Sequence, residues 1–305
     1  MCIAITKSGC PLQPLPIFKI SYPQEALLPF VFNSPHSGFN YTNNFLSLTP
    51  LSENQLRKGE DTAVDIVFEG AIPSSCYFMK ALFPRSFIDV NREPYELDPK
   101  MFDGKLPDYA NTRSIRVAGG LGVIPRIIGE NTKIYNELLT VQHGLKRIET
   151  YYKPYHAKLL SILTDVKNKF GCYVLVDCHS MPSSMPLSIT KSTKKFQNDI
   201  VIGDRFGESC SQILTEVFET EAKKLGYKVA RNAPYAGGYI TEHYGNPKTQ
   251  GHAIQIEINR ALYMDEKTLK LKKNFTALQS DLQKIIHEVT KLNTSDLAQF
   301  RKAAE

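Results

Sequence analysis

The sequence predicts an α/β layered domain, and three observations carry that expectation. Strand-like apolar runs alternate along the chain with segments of helical periodicity. Two of the runs, over residues 172–177 and 252–259, are apolar and regular enough to be central, buried strands. The composition, 42% hydrophobic and 22% charged over 305 residues, suits a chain that buries a large core without disulfide staples.

Taken in order, residues 28–34 read as a buried strand that ends at Pro35, and residues 61–69 as a helix. Residues 77–82 and 86–91 read as a strand pair around Pro84. The stretch 93–130, with Pro94, Pro99, Pro107, Gly119, Gly120, Gly122 and Pro125, reads as a long substrate-side loop. Residues 131–170 carry helical periodicity, with Asn131 or Thr132 as N-cap, a kink at Pro154 and a stop at Gly171. After the strand at 172–177 come a helix over 208–225 that stops at Gly226, strands over 227–231 and 252–259, and a helix over 265–291. There is no internal repeat or linker, so one domain is expected over residues 1–305, with an N-terminal extension (1–25) and a C-terminal tail (292–305).

Several function classes are excluded early. The formal charge of +6 is scattered rather than clustered, and the run Lys191, Lys194, Lys195 reads as a solvated loop, so nucleic acid is not an expected partner. No run approaches the ~20 apolar residues of a membrane span. The six cysteines, Cys2, Cys10, Cys76, Cys172, Cys178 and Cys210, form no C-x-x-C pair; Cys172 and Cys178 fall in an apolar strand pattern and read as buried free thiols, a usage that points to a reducing compartment. The first residues lack a signal-peptide order, and the expected location is the cytoplasm. Oligomeric state is not legible.

Three strand ends carry chemistry. In Asp177-Cys178-His179-Ser180, alternation places Asp177 and His179 on the same face, so Asp177 can orient the His179 ring. In Ser34-Pro35-His36-Ser37-Gly38 a strand delivers a second imidazole into a turn. In 252–259 Ile254, Ile256 and Ile258 take one face, while Gln255, Glu257 and Asn259 take the other. A carboxylate on so buried a strand is costly unless it has a partner or a task, and a general base is such a task. Each motif also has a plain structural reading: a strand cap, a surface turn, a solvated edge. Together they match a metal hydrolase, which needs three protein ligands, an open position and a nearby base. His36 and His179 supply two imidazoles. Glu60 and Asp61, at the start of the helix, both offer the carboxylate, and spacing does not decide between them.

These motifs, in order along most of the chain, resemble the N-formylglutamate amidohydrolase family. The resemblance runs through Ser-Pro-His-Ser-Gly (34–38), Glu-Asp (60–61), Phe-Pro-Arg and Ile-Asp-Val-Asn-Arg-Glu-Pro (83–94), and Tyr-Lys-Pro-Tyr-His (152–156). It continues through Asp-Cys-His-Ser-Met-Pro (177–182), Gly-Asp-Arg-Phe-Gly (203–207), residues 232–245 and residues 252–264. It implies a three-layer fold like that of zinc carboxypeptidases and aspartoacylase, with a mixed, mostly parallel sheet of about eight strands between helices. It also implies one Zn2+ per chain, other divalent metals being possible, with His36, Asp61 and His179 as ligands and Asp61 preferred over Glu60. Glu257 would be the base, and Arg85 the group that polarises the scissile carbonyl. Asn91 and Arg92 would bind a substrate carboxylate, Arg92 through a forked contact, although strict alternation puts the two on opposite faces. Gly237, Gly238, Thr241 and Arg260 complete the expected substrate contacts, and Asp177 and Asp89 the carboxylates behind them. The implied substrate is a small anionic N-acyl amino acid, best N-formyl-L-glutamate. The alternatives are an amidase or peptidase acting on other N-acyl amino acids or cell-wall peptides, and a non-catalytic carboxylate-binding module.

Overall fold

Period-two alternation in the two longest strands divides apolar and polar side chains between opposite faces of one sheet. The computed structural model, which describes residues 16–24, 27–129, 132–184 and 197–298, has seven strands in that sheet. They are β1 (Phe18–Ser21), β2 (Phe30–Ser34), β3 (Tyr77–Ala81), β4 (Tyr173–Met181), β5 (Ile200–Gly203), β6 (Val229–Arg231) and β7 (Gly251–Asn259). Their spatial order is β1-β3-β2-β4-β7-β5-β6. β3, β2, β4 and β7 are mutually parallel, β1 pairs antiparallel to β3, β5 pairs antiparallel to β7, and β6 runs parallel to β5. The sheet is mixed and mostly parallel as expected, with seven strands among the described residues rather than about eight.

The helices that frame the sheet and site are α1 (Val64–Glu69), α2 (Ile115–Ala118), α3 (Val141–Arg147), α4 (Lys153–Phe170), α5 (Gln212–Lys224), α6 (Tyr239–Tyr244) and α7 (Phe275–Val289), with short helical turns at Asn43–Leu46, Glu53–Leu56 and Thr294–Ala298. One sheet face packs Val31, Met79, Leu175 and Ala253 against Tyr155, Leu159, Ile162 and Val166 of α4. The other packs Phe32, Val176, Ile254, Ile256 and Ile258 with Phe68 of α1, Phe218 of α5 and the α7 stripe Leu278, Leu282, Ile285, Ile286, Val289. That stripe has the spacing of one helix face, and the sheet lies between two helical layers. Burying an isoleucine contributes roughly 1.5–3 kcal/mol, so the Ile254/Ile256/Ile258 row fixes the register of β7. A one-residue slip would drive Gln255 and Glu257 into the apolar layer.

Several boundaries differ from expectation. The edge strand β1 lies inside the stretch read as an N-terminal extension. Residues 86–91 are not a strand: the chain turns after Pro84, with Phe87 N donating to the Pro84 carbonyl at 3.0 Å. The helix expected from residue 131 begins at Val141, capped by the Thr140 hydroxyl. Thr132 sits in a two-residue strand, and Asn131 lies outside the described residues. Pro154 has no N–H to give, and a π-helical segment (Ile148–Tyr152) joins α3 to α4 there. Gly171 ends α4 with φ 78°, a left-handed cap as expected. α1 starts only at Val64 and α5 at Gln212. α7 starts only at Phe275, because Met264–Asp265 and Lys270–Leu271 pair as a small antiparallel hairpin. Lys191, Lys194 and Lys195, Cys2 and Cys10, and the tail from residue 299 lie outside the described residues.

Candidate metal centre and substrate cavity

The polar face of the sheet is assembled by register. Asn33 on β2 and Gln255 on β7 flank Asp177 of β4 in register, and one alternation further His179 pairs with Glu257. These groups sit in the core and each has a hydrogen-bond partner, as burial requires. Asn33 Nδ2 donates to Asp177 Oδ1 at 2.8 Å, Gln255 Nε2 to Glu257 Oε1 at 2.8 Å, and the Gly238 amide to Gln255 Oε1 at 2.9 Å.

His36 follows β2, and Asp61 precedes α1. The left-handed Ala63 (φ 61°) and the bond from Asp61 N to the His36 carbonyl (3.1 Å) hold the two turns together. His36, Asp61 and His179 are buried, and their candidate ligand atoms all lie within 4.8 Å of one another. Asp61 Oδ2 is 2.9 Å from His179 Nδ1 and 3.5 Å from His36 Nδ1. The outer nitrogens face carboxylates: His36 Nε2 lies 2.7 Å from Asp89, His179 Nε2 2.8 Å from Asp177. A proton on each Nε2 leaves a lone pair on each Nδ1, which is how carboxylates orient metal-binding imidazoles.

His36 Nδ1 is buried and has no hydrogen-bond partner, and it faces the Asp61 carboxylate. An orphaned ring nitrogen beside a carboxylate and a second Nδ1 fits a divalent cation of the zinc type. Burial disfavours a charged His179, but Asp177 and Asp61 outweigh it and hold the ring protonated well above its usual range. Burial likewise works against ionised Asp61, and His179 and His36 more than offset it. A bound cation would take the place of the inner proton.

The trio lies on the wall of a cavity of about 320 Å³, which is also lined by Arg85, Asn91, Arg92, Arg116, Gly237, Gly238, Gln255, Glu257 and Arg260. Burial, with the Asp61 charge adding and His179 opposing, lifts Glu257 to about 7. Arg85 donates through Nε to Asp89 at 2.9 Å; among the described residues its terminal nitrogens bond no protein acceptor. Because residues 86–91 turn, Asn91 and Arg92 both reach the cavity, which strict alternation would forbid.

Not every expected residue converges. Glu60 turns away from the histidines to accept from Tyr41 and from Arg57 Nε, so Asp61 is the carboxylate brought to the trio. Thr241 is fully buried behind the cavity, 3.5 Å from Gln255 Oε1. Arg92 spends Nε on the Leu121 carbonyl and Nη1 on that of Asn91, which removes the forked edge expected for substrate. Gly238 packs against Asn91, where a Cβ would stand 2.4 Å from the amide, and its N–H is taken by Gln255. Arg260 lines the cavity but is fastened to Ser180 and Asp61. Gln255 was legible as the residue sharing Glu257's face one alternation earlier. Arg116 was not, because loop composition alone marks no position in the 93–130 stretch.

A family model described as N-formylglutamate amidohydrolase matches residues 28–264. The N-formylglutamate deformylase of Pseudomonas putida is 26% identical over 242 residues, spanning 78% of this chain and 83% of its own. The crystal structure of N-formylglutamate amidohydrolase from Ralstonia eutropha JMP134 superposes with a TM-score of 0.83 at 34% identity, covering 90% of this chain and 97% of that one. The Agrobacterium tumefaciens gene product Atu2144, at 17% identity and a TM-score of 0.60, shares the fold.

Proposed function

The chain belongs to the N-formylglutamate amidohydrolase family, whose members hydrolyse linear amide C–N bonds, and on that premise we propose that it cleaves N-formyl-L-glutamate to formate and glutamate with a zinc-type cation held by His36, Asp61 and His179. The observation that carries this reading is the orphaned His36 Nδ1, buried beside Asp61 and His179 on the wall that also holds Glu257.

A divalent cation in that position supplies Lewis acidity, lowering the pKa of water and polarising a carbonyl. The chain's own groups do the rest. Glu257, kept near neutrality by burial and steadied at Oε1 by Gln255, takes a proton from the attacking water and delivers it to the departing amine nitrogen. Water oxygen joins the formyl carbon, the C–N bond breaks, and the amine leaves with that proton. Arg85, fixed by Asp89, presents its terminal nitrogens where negative charge develops on the carbonyl oxygen. Arg92 retains Nη2 as a single donor toward a substrate carboxylate. Asp89 and Asp177 hold the two imidazoles in the ligand tautomer.

Glu257→Gln tests the reading. Zinc content should remain near that of wild type, while kcat for N-formyl-L-glutamate falls roughly 10²–10⁴-fold, the range of a lost general base. Wild-type turnover in this variant would remove Glu257 from the mechanism.

A further inference from the structure

Four guanidiniums line the cavity, against the two carboxylates of Asp61 and Glu257. Three are fastened to protein acceptors at 2.8–3.1 Å: Arg85 to Asp89, Arg92 to two backbone carbonyls, and Arg260 to Ser180 and Asp61. Arg116 is not. It stands on α2, and its Nη1 is 3.8 Å from Glu96 Oε2, beyond hydrogen-bond reach. That Glu96 oxygen is itself buried without a hydrogen-bond partner. Arg116 is also close enough to Arg92 for the two like charges to oppose each other. A cation that opposes its neighbour, and whose ion pair with Glu96 is stretched to 3.8 Å, is poised for an anion arriving from solvent. The hydrolysis assigns it no task, since one anionic anchor and the oxyanion donor are already supplied by Arg92 and Arg85.

We propose that Arg116 is a specificity residue: it takes the side-chain carboxylate of a dianionic N-formyl amino acid, exchanging its loose contact with Glu96 for a direct, forked one. This deepens the amidohydrolase reading by naming which acids the cavity prefers. A monoanionic amide of the same shape fills the same space but leaves Arg116 with only its stretched pair to Glu96.

The test compares L-glutamate with L-glutamine, which differ at that carboxylate alone. Calorimetry on zinc-loaded wild-type enzyme should give roughly 10- to 100-fold tighter binding of glutamate, the range for charge-assisted hydrogen bonds. Arg116→Gln should bring the two affinities together, and Arg116→Lys should restore part of the gap. The kcat/KM ratio of N-formylglutamate to N-formylglutamine should shrink by the same factor in Arg116→Gln, through KM. Equal binding of the two amino acids by wild type, or an unchanged ratio in Arg116→Gln, overturns the proposal. A wild type that hydrolyses no N-formyl amino acid sinks the amidohydrolase reading instead, and the binding ratio still decides the role of Arg116.

Discussion

At Asp61 a single carboxylate faces three nitrogen-bearing side chains, with Oδ2 toward the Nδ1 atoms of His36 and His179 and Oδ1 accepting from Arg260 at 3.1 Å. The oxygens are thereby divided, one toward the two histidines and one toward a fixed arginine. The adjacent Glu60 is equally buried but faces Tyr41. Sequence spacing left these neighbours indistinguishable, because consecutive side chains leave the backbone in different directions and only the local dihedrals say which one turns inward. Metal analysis separates them: Asp61→Asn should drop bound zinc far below one per chain, and Glu60→Gln should leave it near one. Equal loss in both variants would mean that the turn, not the Asp61 oxygen, holds the ion. The strand-borne residues were legible for the opposite reason, since alternation alone puts Asp177 and His179 on one face of β4 and Glu257 on the matching face of β7.

Among the elements, the turn over residues 84–92 does the work that the sequence suggested for a strand. It carries Arg85, Asp89, Asn91 and Arg92, and it is clamped from behind by the buried Arg147, whose Nη1 donates to the Phe87 carbonyl at 3.0 Å while the guanidinium lies 4.2 Å from the Phe87 ring centroid. Apolar and polar residues alternate from Ile88 to Asn91 as in a strand; what departs from strand is the Pro84 turn, and the clamp comes from a helix about sixty residues away, which no local pattern announces. The turn's other support is Gly38, two residues after His36. A Cβ there would stand 2.4 Å from the Phe83 carbonyl oxygen and 2.6 Å from the Leu82 carbonyl carbon, both rigid backbone. Gly38→Ala must therefore push His36 away from the segment that bears Asp89. Overpacking of this kind costs about 1–3 kcal/mol, so a fall of several degrees in Tm is expected together with weaker zinc binding. A variant with wild-type melting and wild-type metal affinity would show that the two segments move freely of each other.

Across the whole molecule, the sheet holds an ionisable row on one face and an apolar isoleucine row on the other, and this arrangement costs stability in the absence of a cation. Glu257 is the clearest case. Its carboxyl ionises in the ordinary range, near 4.5, when unfolded, and burial raises it to about 7 in the fold. The folded state therefore favours the protonated acid. That contribution is fully present below about pH 4.5 and is lost as pH rises through about 7, where folding must accommodate a buried carboxylate. Metal-depleted Glu257→Gln carries no such titration, so it should exceed metal-depleted wild type in stability by roughly 3 kcal/mol at pH 8 and by less than about 1 kcal/mol near pH 5. Losses shared by both proteins, such as protonation of the low-lying Asp61 and Asp89 in acid, cancel from the difference. Added zinc should narrow the gap at pH 8, because a nearby cation stabilises the ionised carboxylate in wild type alone. Urea unfolding of both proteins at the two pH values, with and without zinc, measures each term. A gap that stays flat with pH, or that favours wild type at pH 8, would mean that Glu257 is already compensated by His179, Arg85 and Arg260, and is not held in reserve for a proton.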